Sequence, residues 1–315
     1  MPLLAEYAIM PDIFFGGFCA CNEYEEELFD QLRDVVMTQG LVRDLRNGGW
    51  STLLKQPGSH LSPRANHFLK NIQNKGRVTF FPIQLPCVPK SDLDWCQEAI
   101  ETHKAKPLSG IIATESVALN FKEYSAVSSI NKLRKSGWWK PLDSDVRVQR
   151  NIGSYLEQLQ PILEHAKWIL FVDGNLDPSA DNYADFMQII SILAARERAP
   201  YIEIHRQEFS GSVKDKKVRN INEWLDRFSP ILQIVSGKKL HIEVFIWKRI
   251  HDRYLLSNLM GLQIPYGFDT NKYKPTEETT WSRLTQKSID AEYRKVDKAV
   301  NWNALVGSFK LGAGS

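Results

Sequence analysis

The run Lys248-Arg249-Ile250-His251-Asp252-Arg253-Tyr254-Leu255-Leu256-Ser257-Asn258 sets an imidazole two residues from a guanidinium. In an extended 251–256 segment, His251 and Arg253 point to one face with Cα atoms about 6.5 Å apart. Such a pair suits a phosphate ester. The imidazole can attack phosphorus or shuttle a proton, while the guanidinium holds two phosphate oxygens and offsets developing charge. Lys248 and Arg249 beside it, and Lys238 and Lys239 before the preceding strand, are candidate phosphate contacts, as are Lys214, Lys216, Lys217 and Arg219. Asp215 and Glu243 interrupt these cations, which fits a solvated charged face equally well. The plain alternative is that His251 closes a strand end and Asp252–Arg253 is a surface ion pair worth under about 1 kcal/mol.

The elements that must position this segment are regular. Residues 167–173 (KWILFVD) form a continuous apolar run of the kind a buried parallel strand shows. The turn GNLDPSAD follows, and Tyr183, Phe186, Met187, Ile190, Leu193 and Ala194 predict a helix from Asp181 or Asn182 to about Arg198, with Pro200 beyond it. YIEIHR (201–206) predicts a strand with Glu203 and His205 on a half-exposed face. Val218, Ile221, Leu225 and Phe228 predict a second helix over 218–229. LHIEVFIW (240–247) alternates, with Leu240, Ile242, Val244 and Ile246 on one face. Alternating strands and helices predict an α/β sheet with crossover helices.

With these elements in view, the chain resembles the phospholipase D superfamily, whose signature is His-x-Lys, four residues, Asp, then a Gly-Ser turn with Asn. His251 falls on the His, Arg253 on the Lys and Asn258 on the Asp, while Gly267-Phe268-Asp269 lies near the Gly-Ser turn. A variant group with His-Asp-Arg followed by an aromatic and aliphatics is closer still. The resemblance covers about residues 165–310. It implies a phospholipase D-like sheet with flanking helices, His251 as nucleophile or acid/base, Arg253 as phosphate clamp and Asn258 as the third site residue. It further implies engagement of a phosphodiester backbone, foremost nucleic acid, and by analogy with single-motif bacterial variants a role in antiphage defence or mobile elements. Departures from the pattern are specific. Arginine differs from lysine in geometry and keeps its proton, asparagine lacks the aspartate charge, and the Gly-Ser hydroxyl is missing. Active members join two copies of the motif, so an active form of this chain is expected to pair as a homodimer across His251. The competing expectation is a catalytically inactive subunit that docks a larger protein assembly through an aromatic-rich surface.

Asp173, Asp177, Glu203 and His205 offer a second constellation, a divalent-metal cluster, but the Glu-x-Lys that completes such nuclease sites is missing. No metal and no cofactor are expected. Walker, Gly-x-Gly-x-x-Gly, Gly-x-Ser-x-Gly and His-Glu-x-x-His motifs do not occur, which argues against common nucleotide hydrolases, Rossmann enzymes, serine hydrolases and zinc proteases.

At 315 residues the chain is long for one minimal core. The expected organisation is a smaller α+β domain over 1–150, an α/β domain over 151–311 and a flexible tail over 312–315, with basic 134–151 as the boundary. In the first domain, 23–38 predicts an amphipathic helix and 91–103 another, begun by Ser91. GIIATESVAL (110–119) opens as a strand, residues 78–88 predict a proline-broken edge or loop, and Arg43-Asp44-Leu45-Arg46 predicts a charged turn. A net charge of +3 gives no global field for capturing nucleic acid, so any such binding must be local. Cys19, Cys21, Cys87 and Cys96 lack zinc-site spacing and predict small buried thiols of a reducing compartment. No run approaches the roughly 18 apolar residues of a membrane span, and the N-terminus lacks a basic n-region, so the expected location is cytoplasmic.

Overall fold

The computed structural model describes residues 3–15, 23–56, 58, 61–82, 85–139, 143–211 and 215–312. The chain forms two compact units, residues 3–142 and Asp143–Ser315, dividing inside the 134–151 stretch.

The first unit is built on five strands, β1 (Ala5–Ile9), β2 (Gly40–Asp44), β3 (Val78–Phe80), β4 (Gly110–Ala113) and β5 (Val127–Ser129), in the order β3-β2-β1-β4-β5. Every pairing is parallel. The unit is therefore a parallel α/β layer rather than the expected α+β domain. Parallel strands bury both faces, so β2 and β4 are buried at every position and lack the alternation that marks a half-exposed strand. Arg43 and Asp44, expected in a charged turn, end β2 and are fully buried. The Arg43 guanidinium donates to both Glu6 carboxylate oxygens and to the carbonyls of Thr102 and Lys106. Helix Asp92–Ala105 starts at the expected Ser91, whose side chain caps Asp94 N–H while Asp94 returns a bond to the Ser91 backbone. Phe14, Phe29, Trp50 and Phe68 form one aromatic cluster in this core. Cys96 is buried but Cys87 is exposed, against the expectation for it; Cys19 and Cys21 lie outside the described residues.

The second unit is an α/β layer on an eight-stranded mixed sheet. Its strands are β6 (Asp145–Gln149), β7 (Trp168–Asp173), β8 (Tyr201–Gln207), β11 (Ile242–Trp247), β12 (Arg253–Ser257), β13 (Gly261–Gln263), β14 (Glu278–Leu284) and β15 (Leu305–Leu311). A separate hairpin pairs β9 (Phe209–Ser210) with β10 (Lys217–Val218). The sheet order is β15-β11-β8-β7-β12-β13-β14-β6. β7, β8 and β11 run parallel, and the remaining pairings are antiparallel. β6 pairs with β14, which is why the 145–149 segment belongs here and not before the boundary.

Two expected helices are shorter. The first is a 3-10 turn Asp181–Tyr183 followed by helix Phe186–Ala194. It stops before Arg196, whose guanidinium donates to the carbonyls of Leu163 and Ala166 at the end of helix Ile152–His165. The second divides into Ile221–Arg227, started by an Asn220–Glu223 capping box, and Ser229–Val235, restarted by Pro230. On β11 the predicted Ile242, Val244 and Ile246 are fully buried, but Phe245 and Trp247 on the opposite face are buried too. Val296 of helix Gln286–Val296 packs on that opposite face with Leu170, Val172, Phe245, Trp247, Tyr254 and Leu256. Glu203 and His205, expected half exposed, are consequently buried. Among the described residues no helix is long and apolar enough to cross a membrane. Of the predicted tail, Gly312 is buried against Leu240 and His241, and 313–315 lie outside the described residues.

Candidate functional site

Three parallel strands, β7, β8 and β11, deliver their carboxyl ends to one edge of the sheet, the place where open α/β sheets receive ligands. β7 ends in Asp173 before Gly174 and Asn175, β8 in Gln207 before Glu208 and Phe209, and β11 in Trp247 before Lys248 and Arg249. The β11–β15 register shifts between Ile246 and Trp247, a bulge that turns the chain as it leaves the sheet. β12 then re-enters antiparallel to β7, placing Arg253 directly opposite Asp173.

These ends surround a cleft of about 660 Å³ lined by Gly174, Asn175, Gln207, Glu208, Phe209, Gly211, Lys216, Lys248, Arg249, Ile250, His251 and Arg253. The lining carries four cations, one imidazole and one carboxylate, Glu208, with Asp173 beneath it offsetting part of the Arg253 charge. The net positive charge sits in a concave site, where field lines concentrate and an anion is favoured over a flat surface.

Asp173 anchors the floor. It is fully buried, and burial pushes its pKa up, while hydrogen bonds and the Arg253 charge pull the other way. Its oxygens accept from Asn175 N–H at 3.0 Å, Arg253 Nε at 3.2 Å, Tyr183 O–H at 2.9 Å and Phe268 N–H at 3.2 Å. Four donors occupy its lone pairs and call for no proton on the acid, so the carboxylate form is the one built in. Arg253 also donates through Nη1 to Pro265 O at 2.7 Å, which leaves its remaining donors for the cleft. Gly267 has φ +67°, and a Cβ there would overlap the Asp173 carboxylate and stand 2.9 Å from Arg253 Cδ. The Gly267-Phe268-Asp269 turn thus packs under Arg253, and Asp269 holds Arg150 at 2.9 Å.

His251 lies on the cleft rim, exposed, before β12 begins. The extended segment starts at Arg253 rather than 251, yet both side chains line the cleft. The Arg249 Nε donates to His251 Nε2. Lys248 Nζ donates to Asn303 O at 2.9 Å, and Lys216 Nζ stands 3.3 Å from the centroid of the Phe209 ring.

Buried Arg206, on β8, frames the site from beneath, and sequence reasoning missed it. Its guanidinium donates to the carbonyls of Leu176, Gln207 and Phe209 and lies 3.2 Å over the Trp224 ring. Burial pushes its pKa down to about 9. Its position two residues beyond Ile204 on the face of Ile202 and Ile204, which puts a charge on a buried side of the strand, was the available signal.

Other expected residues are placed elsewhere. Asn258 follows β12 at the end opposite Arg253, where Oδ1 accepts from Lys167 N–H at 2.8 Å and Trp168 N–H at 3.4 Å. Lys238 and Lys239 precede β11, across the sheet from Lys248. Lys217 and Arg219 pair with Glu223, and Lys214 lies outside the described residues. Of the acidic constellation only Glu203 and His205 meet, while the two aspartates are taken up by arginines. Asp173 holds Arg253, Asp177 holds Arg227 at 2.6 Å, and Glu203 holds His205 at 3.0 Å. Among the described residues no group of three His, Cys, Asp or Glu side chains is placed to bind a metal.

No family model and no curated protein matches the chain. Solved structures do overlay on it. TrmBL2, an archaeal chromatin protein described as showing a novel mode of DNA binding, overlays at TM-score 0.29 and 15% identity, covering 77% of this chain and 82% of its own. A polyphosphate kinase from Porphyromonas gingivalis overlays at TM-score 0.31 and 6% identity, covering 55% of this chain and 24% of its own. The chain spans about a quarter of that kinase's length, and neither score defines a shared fold.

Proposed function

We propose that the second unit is a phospholipase D-like domain that binds the phosphodiester backbone of a nucleic acid in the cleft at the ends of β7, β8 and β11. The observation that carries this reading is the gathering of Lys216, Lys248, Arg249 and Arg253 around one concavity in a chain of net charge only +3. Arg253 is pre-aimed by Asp173 and Pro265, so its ordering is complete before an anion arrives.

Binding is favoured over cleavage. The Nε2 lone pair of His251, the atom a nucleophile or base would use, is engaged by Arg249. One His251 motif per chain also leaves a cleaving form in need of a second copy. The docking alternative has no comparable observation behind it.

The test is fluorescence anisotropy of a labelled single-stranded oligonucleotide on the full chain, titrated across salt. Binding is expected to weaken steeply with salt, and Arg249→Ala or Arg253→Ala is expected to lower the log–log slope by about 0.7 each. No binding, or a slope unchanged by either substitution, overturns the reading. Metal-free cleavage abolished by His251→Ala would overturn the preference for binding.

A further inference from the structure

A second cavity, of about 200 Å³, adjoins the cleft and shares Arg249, Ile250 and His251 with it. Its apolar walls are Val172, Ile250 and Val296. Its polar end carries Asp252, Glu292 and Lys295, with Tyr254 beside them. Lys295 sits between the two carboxylates, 2.8 Å from Glu292 and 3.9 Å from Asp252. At this size it is smaller than the roughly 300–1,000 Å³ of sites for drug-sized ligands, so it takes one ring system and no more.

We propose that this cavity is a nucleobase subsite selective for guanine, served by the same 249–252 wall that presents the phosphate cations. The proposal rests on the backbone-binding reading of the cleft. A nucleotide joins a flat apolar ring to an anion through a short linker, and the two cavities offer those two environments next to each other, with Arg249, Ile250 and His251 common to both. Apolar walls accept the faces of a base. Carboxylates at the end accept hydrogen bonds, and among the bases guanine presents adjacent N1–H and N2–H donors that one carboxylate can receive together. Bases whose corresponding edge carries acceptors, such as uracil O2 and O4, meet carboxylate lone pairs instead. Asp252 is the better placed acceptor because it is more than half exposed and its ion pair with Lys295 is long, whereas Glu292 is held by Lys295 and largely covered.

Calorimetric titration of the full chain with 5′-GMP, 5′-UMP and ribose 5-phosphate tests this. GMP is expected to bind at least about tenfold tighter than either of the others. Asp252→Asn, at an exposed position, should bring the GMP to UMP affinity ratio close to one, and Val296→Phe, which fills the cavity, should bring the GMP to ribose 5-phosphate ratio close to one. Arg249→Ala should weaken all three ligands. Equal binding of GMP and ribose 5-phosphate overturns the base subsite while leaving the cleft reading intact. Equal binding of GMP and UMP overturns the guanine preference. Loss of ribose 5-phosphate and oligonucleotide binding alike overturns the cleft reading itself. Should Val296→Phe fail to fold, the Asp252→Asn ratio decides.

Discussion

Asp173 and Arg253 face each other across the β7–β12 ladder, with Arg253 Nε donating to Asp173 Oδ1 at 3.2 Å. The carboxylate is fully buried and the guanidinium about one quarter exposed. One end of the pair is therefore structural and the other is presented to solvent.

Removing the buried end should be costly. Asp173→Ala strips the acceptor from Arg253, Tyr183, Asn175 and Phe268 together. The expected loss is about 3–5 kcal/mol in urea unfolding, the range for stranding one partner of a buried pair. A loss under about 1 kcal/mol would show that the four donors find other partners.

Gly267→Ala tests the turn beneath Arg253. The backbone at φ +67° is strained for alanine, and the added methyl overlaps Asp173. Destabilisation of about 1–3 kcal/mol is expected by chemical denaturation. Oligonucleotide affinity should fall in the folded fraction as well, because Arg253 Cδ lies within 2.9 Å of the same methyl. Unchanged affinity would separate Arg253 from the cleft.

Asn258→Ala separates motif position from spatial position. Asn258 caps Lys167 and Trp168 N–H groups at the far end of β12 from Arg253. Its loss should cost about 1 kcal/mol of stability and leave oligonucleotide affinity and salt slope at wild-type values. A slope lowered as much as by Arg249→Ala would place Asn258 in the binding surface after all.

The contrast between Asn258 and Arg253 shows what was legible in the sequence. Spacing along a strand fixes which residues share a face, and the antiparallel return of β12 was not encoded in any local pattern. His251 and Arg253 are neighbours, so reading them together required no tertiary knowledge. Asn258, five residues further, was carried to the opposite edge by the rise of the strand. Lys238 and Lys239 were misplaced for the same reason, one strand length from Lys248. The strand β7 announced itself through an apolar run and β8 and β11 through alternation, whereas β2, buried at every position yet ending in Arg43 and Asp44, gave a pattern that mimics a charged turn. Asp173 and Glu203 were noticed as acids, but their partners, Arg253 and His205, are set by strand pairing and by local geometry that spacing alone does not give.

The buried His205 should make stability pH-dependent. Trp247 Nε1 donates to its Nδ1 at 3.1 Å, so Nε2 carries the proton and donates to Glu203 at 3.0 Å. Glu203 also receives the Tyr201 hydroxyl, Tyr201 reaches Glu243, and Lys298 pairs with Glu243 at 3.2 Å. Burial lowers the His205 pKa, and the attraction of Glu203 recovers part of that shift. A histidine with a folded pKa below its unfolded value near 6.5 binds fewer protons in the native state. Its full contribution is present above the unfolded pKa and is lost as pH falls toward the folded pKa, at up to about 1.4 kcal/mol per pH unit. Urea unfolding from pH 8 to pH 5.5 should show this decline. His205→Gln keeps a donor for Glu203 and an acceptor for Trp247 without a titrating ring, so its pH curve should be flatter than wild type over the same window. Parallel curves for the two proteins would mean that His205 takes up its proton in the folded state as readily as in the unfolded chain.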